Sequence, residues 1–249
     1  MMTWAEPPDD LSLFDLEIHI WRAKLDLPES QLQRLRGWLS DDEVERASRF
    51  YFERDRQRFV VARGCLRDIL SRYLQRGPGD LSFRYNEHGK PALEETVRED
   101  RVEFNLSHSQ DIALIAVVLR SEVGIDVEGV RLDVTGDEIA RRFFSPQEVE
   151  AIQALPPEFR QEAFFSCWTR KESYIKARGQ GLAIPLDEFD VSVNPGEPAR
   201  LIANRADPDE VSRWKMYRLE PGTGYVGALT VEAGDWNLKH WKWESTISP

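Results

Sequence analysis

Two short stretches restrict what this chain can fold into. From Val123 to Glu128 the sequence VGIDVE alternates, which predicts a β-strand. Val123, Ile125 and Val127 take one face, and Gly124, Asp126 and Glu128 take the other. Two carboxylates two residues apart on one strand face lie side by side. Their repulsion is costly unless a cation or hydrogen-bond donors sit between them. From Cys167 to Ala177 the sequence CWTRKESYIKA predicts a helix on which Glu172 and Lys176, four apart, share a face. Asp126, Glu128 and Glu172 together offer three oxygen ligands to a hard divalent cation. Magnesium suits such a set, because it takes few carboxylates and keeps positions for water and phosphate oxygens. Each half alone also has an ordinary reading: the polar face of an amphipathic strand, and an i,i+4 surface pair worth about 0.3–0.5 kcal/mol.

The flanking chain is mixed helix and strand. Residues Leu11 to Ile20 alternate as a strand, and Pro28 to Leu39 carries helical apolar spacing. Ser40-Asp41-Asp42-Glu43 is a capping box that starts a helix at Asp41. Ser145-Pro146-Gln147-Glu148 is a second one, opening a helix to Ala154. Long helices are expected over Asp55–Gln75 and Pro157–Arg178, the latter stopped by Gly179, and a shorter one over Asp133–Phe144. Leu81–Asn86, Val102–Leu106, Gln110–Leu119, Phe189–Val193, Arg200–Ala203, Trp214–Leu219 and Gly224–Glu232 read as strands. The turn Glu87-His88-Gly89-Lys90-Pro91 and the stretch Asn105-Leu106-Ser107-His108-Ser109 punctuate this region. Seven arginines crowd residues 46–67: Arg46, Arg49, Arg54, Arg56, Arg58, Arg63 and Arg67. They make either a solvated helix face or a patch that faces phosphate.

The order GIDxE on a strand, then WxxKExxxK on a helix about forty residues later, resembles the 4'-phosphopantetheinyl transferases of the larger, monomeric type. GKP at Gly89-Lys90-Pro91, N-x-S-H-S at Asn105 to Ser109, RFxxxRxxLR at Arg58 to Arg67, and Phe144 with Glu148 as FxxxE also fit that family. The resemblance covers roughly Ser40 to Val193. It implies an α+β fold of two similar lobes related by a pseudo-twofold, each a small antiparallel sheet packed with a long helix. Residues 1–120 would form the coenzyme A side and residues 121–249 the magnesium and catalytic side, with the active site at their junction.

The implied reaction moves the 4'-phosphopantetheine arm of coenzyme A onto a serine of an acyl or peptidyl carrier protein, giving 3',5'-ADP. By the same resemblance Asp126, Glu128 and Glu172 hold magnesium. Glu172 is ligand, general base or both, and Lys176 is catalytic and touches phosphate. Arg46, Arg58, Arg63, Lys90, Pro91, Ser107 and His108 contact coenzyme A, and Lys171 is a weaker phosphate candidate. Glu43 departs from the pattern, because many relatives carry a basic residue just before Arg46. Arg160, Arg170, Lys171, Lys176 and Arg178 are the expected docking surface for the carrier.

With 44 acidic and 33 basic residues the net charge is −11, which argues against nucleic acid or an anionic membrane as partner. An anionic substrate must then be met by a local basic patch. The N-terminus has no signal-peptide pattern, and Cys65 and Cys167 lie in apolar helical contexts. A cytoplasmic protein with reduced core cysteines is expected, and the resemblance implies a monomer. Neither GxGxxG nor GxxxxGK occurs, which disfavours a dinucleotide fold or a P-loop. Two other functions stay open at this level: a magnesium-dependent phosphodiesterase or nuclease, and a non-catalytic coenzyme A-binding module.

Overall fold

Apolar alternation on the strands and two long helices assemble four stacked layers, helix–sheet–sheet–helix. The structure is a computed structural model that describes residues 3–94, 101–130, 136–194 and 196–244. The chain runs β1 (Glu17–Lys24), α1 (Glu29–Arg36), α2 (Asp41–Ser48), α3 (Glu53–Leu74), β2 (Phe83–Tyr85), β3 (Pro91–Leu93), β4 (Val102–Ser109), β5 (Ile112–Leu119) and β6 (Val123–Gly129). It continues with α4 (Gly136–Phe143), α5 (Pro146–Ala154), α6 (Pro157–Arg178), β7 (Phe189–Val191), β8 (Leu201–Asn204), α7 (Glu210–Arg213), β9 (Trp214–Leu219), β10 (Tyr225–Glu232) and β11 (Asn237–Trp243).

One sheet has the order β11-β1-β5-β4 and the other β6-β10-β9. β5 sits inside the first sheet, antiparallel to both β1 (Ile20 opposite Ala116) and β4 (Leu106 opposite Ile115). Its unbroken apolar run is what a strand covered on both faces needs. One face of that sheet, with Trp21, Ala23, Ile115 and Val117, packs on Leu66, Ile69 and Leu70 of α3. The other, with Ile18, Ile20, Leu114 and Ala116, packs on Val123, Ile125, Val127 and Leu229 of the second sheet. This places the valine–isoleucine face of β6 in the core and turns Gly124, Asp126 and Glu128 toward α6. Burying each of these large apolar side chains is worth about 1.5–3 kcal/mol.

Gly124 allows a very close approach of β6 to α6. A Cβ there would lie 2.0 Å from the Ser173 carbonyl oxygen and 2.3 Å from the Ala177 nitrogen. Both capping boxes form: Ser40 N donates to Glu43 Oε2 (3.0 Å) and Ser145 N to Glu148 Oε2 (2.9 Å). α6 ends at Gly179, whose φ of 66° is the left-handed cap that glycine adopts without strain.

Three local expectations change. The first strand is Glu17–Lys24, not Leu11–Ile20, because the chain turns at Leu16 (φ 59°) and alternation carries on through Trp21 and Ala23. The tail forms a further strand, β11. It pairs parallel with β1 (Trp21 opposite Trp241), so the first sheet is antiparallel except at that edge, and Trp243 is buried in the first core. The helix expected from Asp133 is described from Gly136, and its first three positions lie outside the described residues.

Candidate active site

The site forms where β4 of the first sheet lies beside β6 of the second. No backbone ladder joins these strands, and side chains of β4 close the gap. Asn105 Oδ1 accepts from Ile125 N (2.9 Å), Ser107 Oγ donates to Asp126 Oδ1 (2.8 Å), and Ser109 Oγ donates to Glu128 Oε2 (2.7 Å). Alternation on β4 puts all three on one face. α6 then lays Glu172 and Lys176 over Asp126. Lys176 Nζ donates to Asp126 Oδ1 at 2.6 Å and to Ser107 Oγ at 3.1 Å. Asp126 is 3% exposed, and its second oxygen, Oδ2, is buried without a hydrogen-bond partner. Such an oxygen carries a full desolvation cost unless a donor or cation meets it.

Glu172 lies in the same electrostatic field. Burial first, and then the negative charges of Asp126 and Glu128, push its carboxyl up to about 7, against the opposing pull of Lys176. In the ion-free protein, folded Glu172 therefore binds its proton more tightly than the unfolded chain does. Between the ordinary value of 4.5 and about 7 the folded state holds more protons, so stability falls as pH rises through that window. Relative to Glu172→Gln, the metal-free wild type is therefore expected to lose Tm from pH 5 to pH 7.5, because the opposite contribution of histidines whose pKa values are lowered, such as His19 and His108, is common to both proteins. An unchanged slope in the variant would contradict this environment for Glu172.

A cleft of about 400 Å³ opens above the junction, lined by Arg46, Arg63, Lys90, Pro91, His108, Glu172 and Lys176 among others. Seven expected site residues thus share one concave surface, the usual shape for a small-molecule site. Ser107 and Asp126 lie beneath it, covered by Lys176. Desolvation by the surrounding cleft, then the positive charges of Lys176, Arg46 and Arg58, lower the pKa of the partly exposed His108, so the imidazole is neutral near pH 7 and offers one N–H. Lys90 Nζ donates to Glu122 Oε2 (2.8 Å) and to the Ala177 carbonyl (3.0 Å), and Asn86 Nδ2 donates to the Gly179 carbonyl (2.6 Å). These bonds dock the turn from the first lobe on the last turn of α6.

The arginines divide. Arg46 stands at the cleft, over the Phe59 ring. Arg58 is held in a two-pronged pair by Asp26 (2.7 and 2.8 Å). Arg63 lines the cleft but donates Nε to Glu43 Oε1 (2.6 Å), while Arg67 donates to Glu43 Oε2 (2.7 Å). Glu43 is therefore a buried counter-ion for two arginines twenty and twenty-four residues further on.

The expected docking surface needs correcting. Arg170 and Lys171 are buried. Lys171 pairs with Glu148 (2.7 Å) and donates to the carbonyls of Leu186 and Phe189, so it cannot reach a phosphate or a partner. The reason is that α6 is covered on nearly every side, by β6 and β10 on one flank and by α5 and β7 on another. Glu148, the acid of FxxxE, holds this lysine and also accepts from Val191 N (2.8 Å).

The sequence reading placed Asn105 and Ser109 in a motif but gave neither a role in the site. Their signal was present, since Asn105, Ser107 and Ser109 alternate on one strand beside two carboxylates that need donors. Among the described residues no group of three or more His, Cys, Asp or Glu side chains is arranged to hold a metal ion as it stands.

A cleft that sets Arg46, Arg63, Lys90, His108 and Lys176 beside the carboxylate of Glu172 has the charge that an anionic, phosphorylated substrate requires. The family follows from comparison. The chain matches the model of the 4'-phosphopantetheinyl transferase superfamily over residues 122–230, and that of the 4'-phosphopantetheinyl transferase N-terminal region over residues 26–120. It is 44% identical to the 4'-phosphopantetheinyl transferase HetI of Nostoc sp. over 239 residues, 96% of this chain and 98% of that protein. It is 30% identical to the 4'-phosphopantetheinyl transferase Sfp of Bacillus subtilis, over 82% of this chain and 88% of that one. A solved holo-[acyl-carrier-protein] synthase of Thermotoga maritima aligns at 20% identity and TM-score 0.36, over 45% of this chain and 62% of that one, a likeness too partial to carry weight. This chain belongs to the 4'-phosphopantetheinyl transferases.

Proposed function

We propose that this enzyme transfers the 4'-phosphopantetheine arm of coenzyme A to a serine hydroxyl of an acyl or peptidyl carrier protein and releases 3',5'-ADP. The observation that carries the reading is a cleft lined by Arg46, Lys90, His108, Glu172 and Lys176, with Asp126 beneath it on Lys176. The serine oxygen forms a bond to the pantetheine-side phosphorus, and that phosphorus loses its bond to the oxygen bridging to 3',5'-ADP. Glu172, once ionised, takes the serine proton. In the ion-free protein its carboxyl is pushed up to about 7, and a cation bound beside it would favour the ionised form that a base needs. Lys176 and the neutral His108 donate to phosphate oxygens, and Arg46 meets the 3'-phosphate, with Arg58 and Arg63 adding positive charge from their places on Asp26 and Glu43. Lys90 and Pro91 border the nucleotide, and Ser107 steadies Asp126.

Asp126 and Glu128, with Glu172 as third ligand, would hold magnesium, whose chemistry when bound is to neutralise charge on the pyrophosphate. The partnerless Oδ2 of Asp126 and the crowding of negative charge on Glu172 support that fit. The arrangement also requires Lys176 to exchange Asp126 for a phosphate oxygen. In this reading residues 1–120 supply the coenzyme A side and residues 121–249 the carboxylates, while β11 returns to the first sheet.

The enzyme works as a cytoplasmic monomer without a nucleic-acid or membrane partner. Among the described residues no helix is long and apolar enough to cross a membrane. No observation favours the nuclease or non-catalytic readings. The test is mass spectrometry of apo carrier proteins incubated with this chain, coenzyme A and magnesium. A gain of one phosphopantetheine arm is the expected result, and no gain on any of several carriers would reject the proposal.

A further inference from the structure

Ser109 stands at the end of β4 and outside the cleft, yet it holds one of the two β6 carboxylates. Its Oγ accepts from Gly129 N (3.2 Å) and donates to Glu128 Oε2 (2.7 Å). A hydroxyl has a single proton. Its oxygen accepts the backbone N–H of Gly129 on β6, and its one proton goes to Glu128 Oε2. The backbone around it is equally fixed: Ser109 pairs with Ile112 across the hairpin, and Gln110 between them adopts φ 52°.

We propose that Ser109 is a positioning residue, which sets the rotation of the Glu128 carboxylate so that it presents an oxygen toward Asp126 and Glu172 for the cation. This rests on the magnesium reading above. Ser107 does a similar service for Asp126, but it also receives Lys176 and so cannot be separated from the cleft. Ser109 can be separated, because it has no partner on α6 among its described hydrogen bonds. Donors behind a metal ligand characteristically change metal affinity 10- to 100-fold when removed.

The experiment titrates Mn2+ into full-length protein in the presence of coenzyme A, reading free Mn2+ by electron paramagnetic resonance, with Tm measured alongside. Ser109→Ala is expected to bind Mn2+ about 10- to 100-fold more weakly than wild type with Tm nearly unchanged. Ser109→Thr, which keeps the hydroxyl, should restore affinity. Wild-type affinity in Ser109→Ala would overturn the proposal. So would equal losses of affinity and Tm in both variants, which would mean that seam packing and not the hydroxyl matters. If Ser109→Ala fails to fold, Ser109→Cys takes its place, with its weak donor expected to give an intermediate affinity. A wild-type protein with no saturable Mn2+ binding would remove the cation reading itself and this inference with it, a result distinct from the other two.

Discussion

Replacing Asp126 by Asn is expected to lower the transfer rate by about 10³-fold or more while leaving the fold intact. The substitution keeps the shape of the side chain and removes its charge. A metal acting as a Lewis acid is worth several kcal/mol, and each 1.36 kcal/mol is a factor of ten in rate. Lys176, 27% exposed at its side chain, can turn to solvent when its partner loses charge, so no buried unpaired cation is left behind. Rate measurements on a carrier substrate, with circular dichroism to confirm folding, decide the matter. A folded Asp126→Asn protein that retains even a tenth of wild-type activity would show that this carboxylate is not central.

The second large effect comes from Gly124, two residues earlier. Gly124→Ala places a methyl 2.0 Å from the Ser173 oxygen and 2.3 Å from the Ala177 nitrogen. Both obstacles are backbone and cannot rotate aside, so α6 must retreat from β6. Overpacking of this kind costs about 1–3 kcal/mol, more when backbone is involved. The retreat also separates Glu172 and Lys176 from Asp126, and a misplacement of about 1 Å at a reacting centre can cost about 10²-fold in rate. Gly124→Ala is therefore expected to lower both Tm and activity, with activity lost even at temperatures where the variant is fully folded. Wild-type activity in that variant would contradict the close packing of β6 on α6.

How much of this was readable in the sequence depended on how local the cause was. Both capping boxes follow from neighbours in sequence, a Ser with a Glu three residues on, and α6 is bounded by Pro156-Pro157 at one end and Gly179 at the other. The alternation of VGIDVE separated the two faces of β6, and the structure puts the apolar one in the core and the other against α6. What escaped was tertiary. Lys171 looked like a surface cation, because a helix buried almost all round gives no polar stripe to mark its inside. Glu43 looked like a lost phosphate contact, and its actual partners, Arg63 and Arg67, lie on another helix. β11, with its Lys-His-Trp-Lys-Trp run, is a strand because β1 offers it an edge, which no local pattern announces. The seam hydroxyls Ser107 and Ser109 could be placed on one face, but what they meet was set by how the two sheets dock.

The central claim is that acids at the β4–β6 seam serve transfer through a divalent cation. It is tested most directly by stripping the protein with EDTA and following the mass of an apo carrier with coenzyme A present. The account predicts no mass gain in chelator, full gain when excess magnesium is added back to wild type, and no such rescue in Asp126→Asn. Full transfer in EDTA by the stripped wild-type enzyme would contradict it.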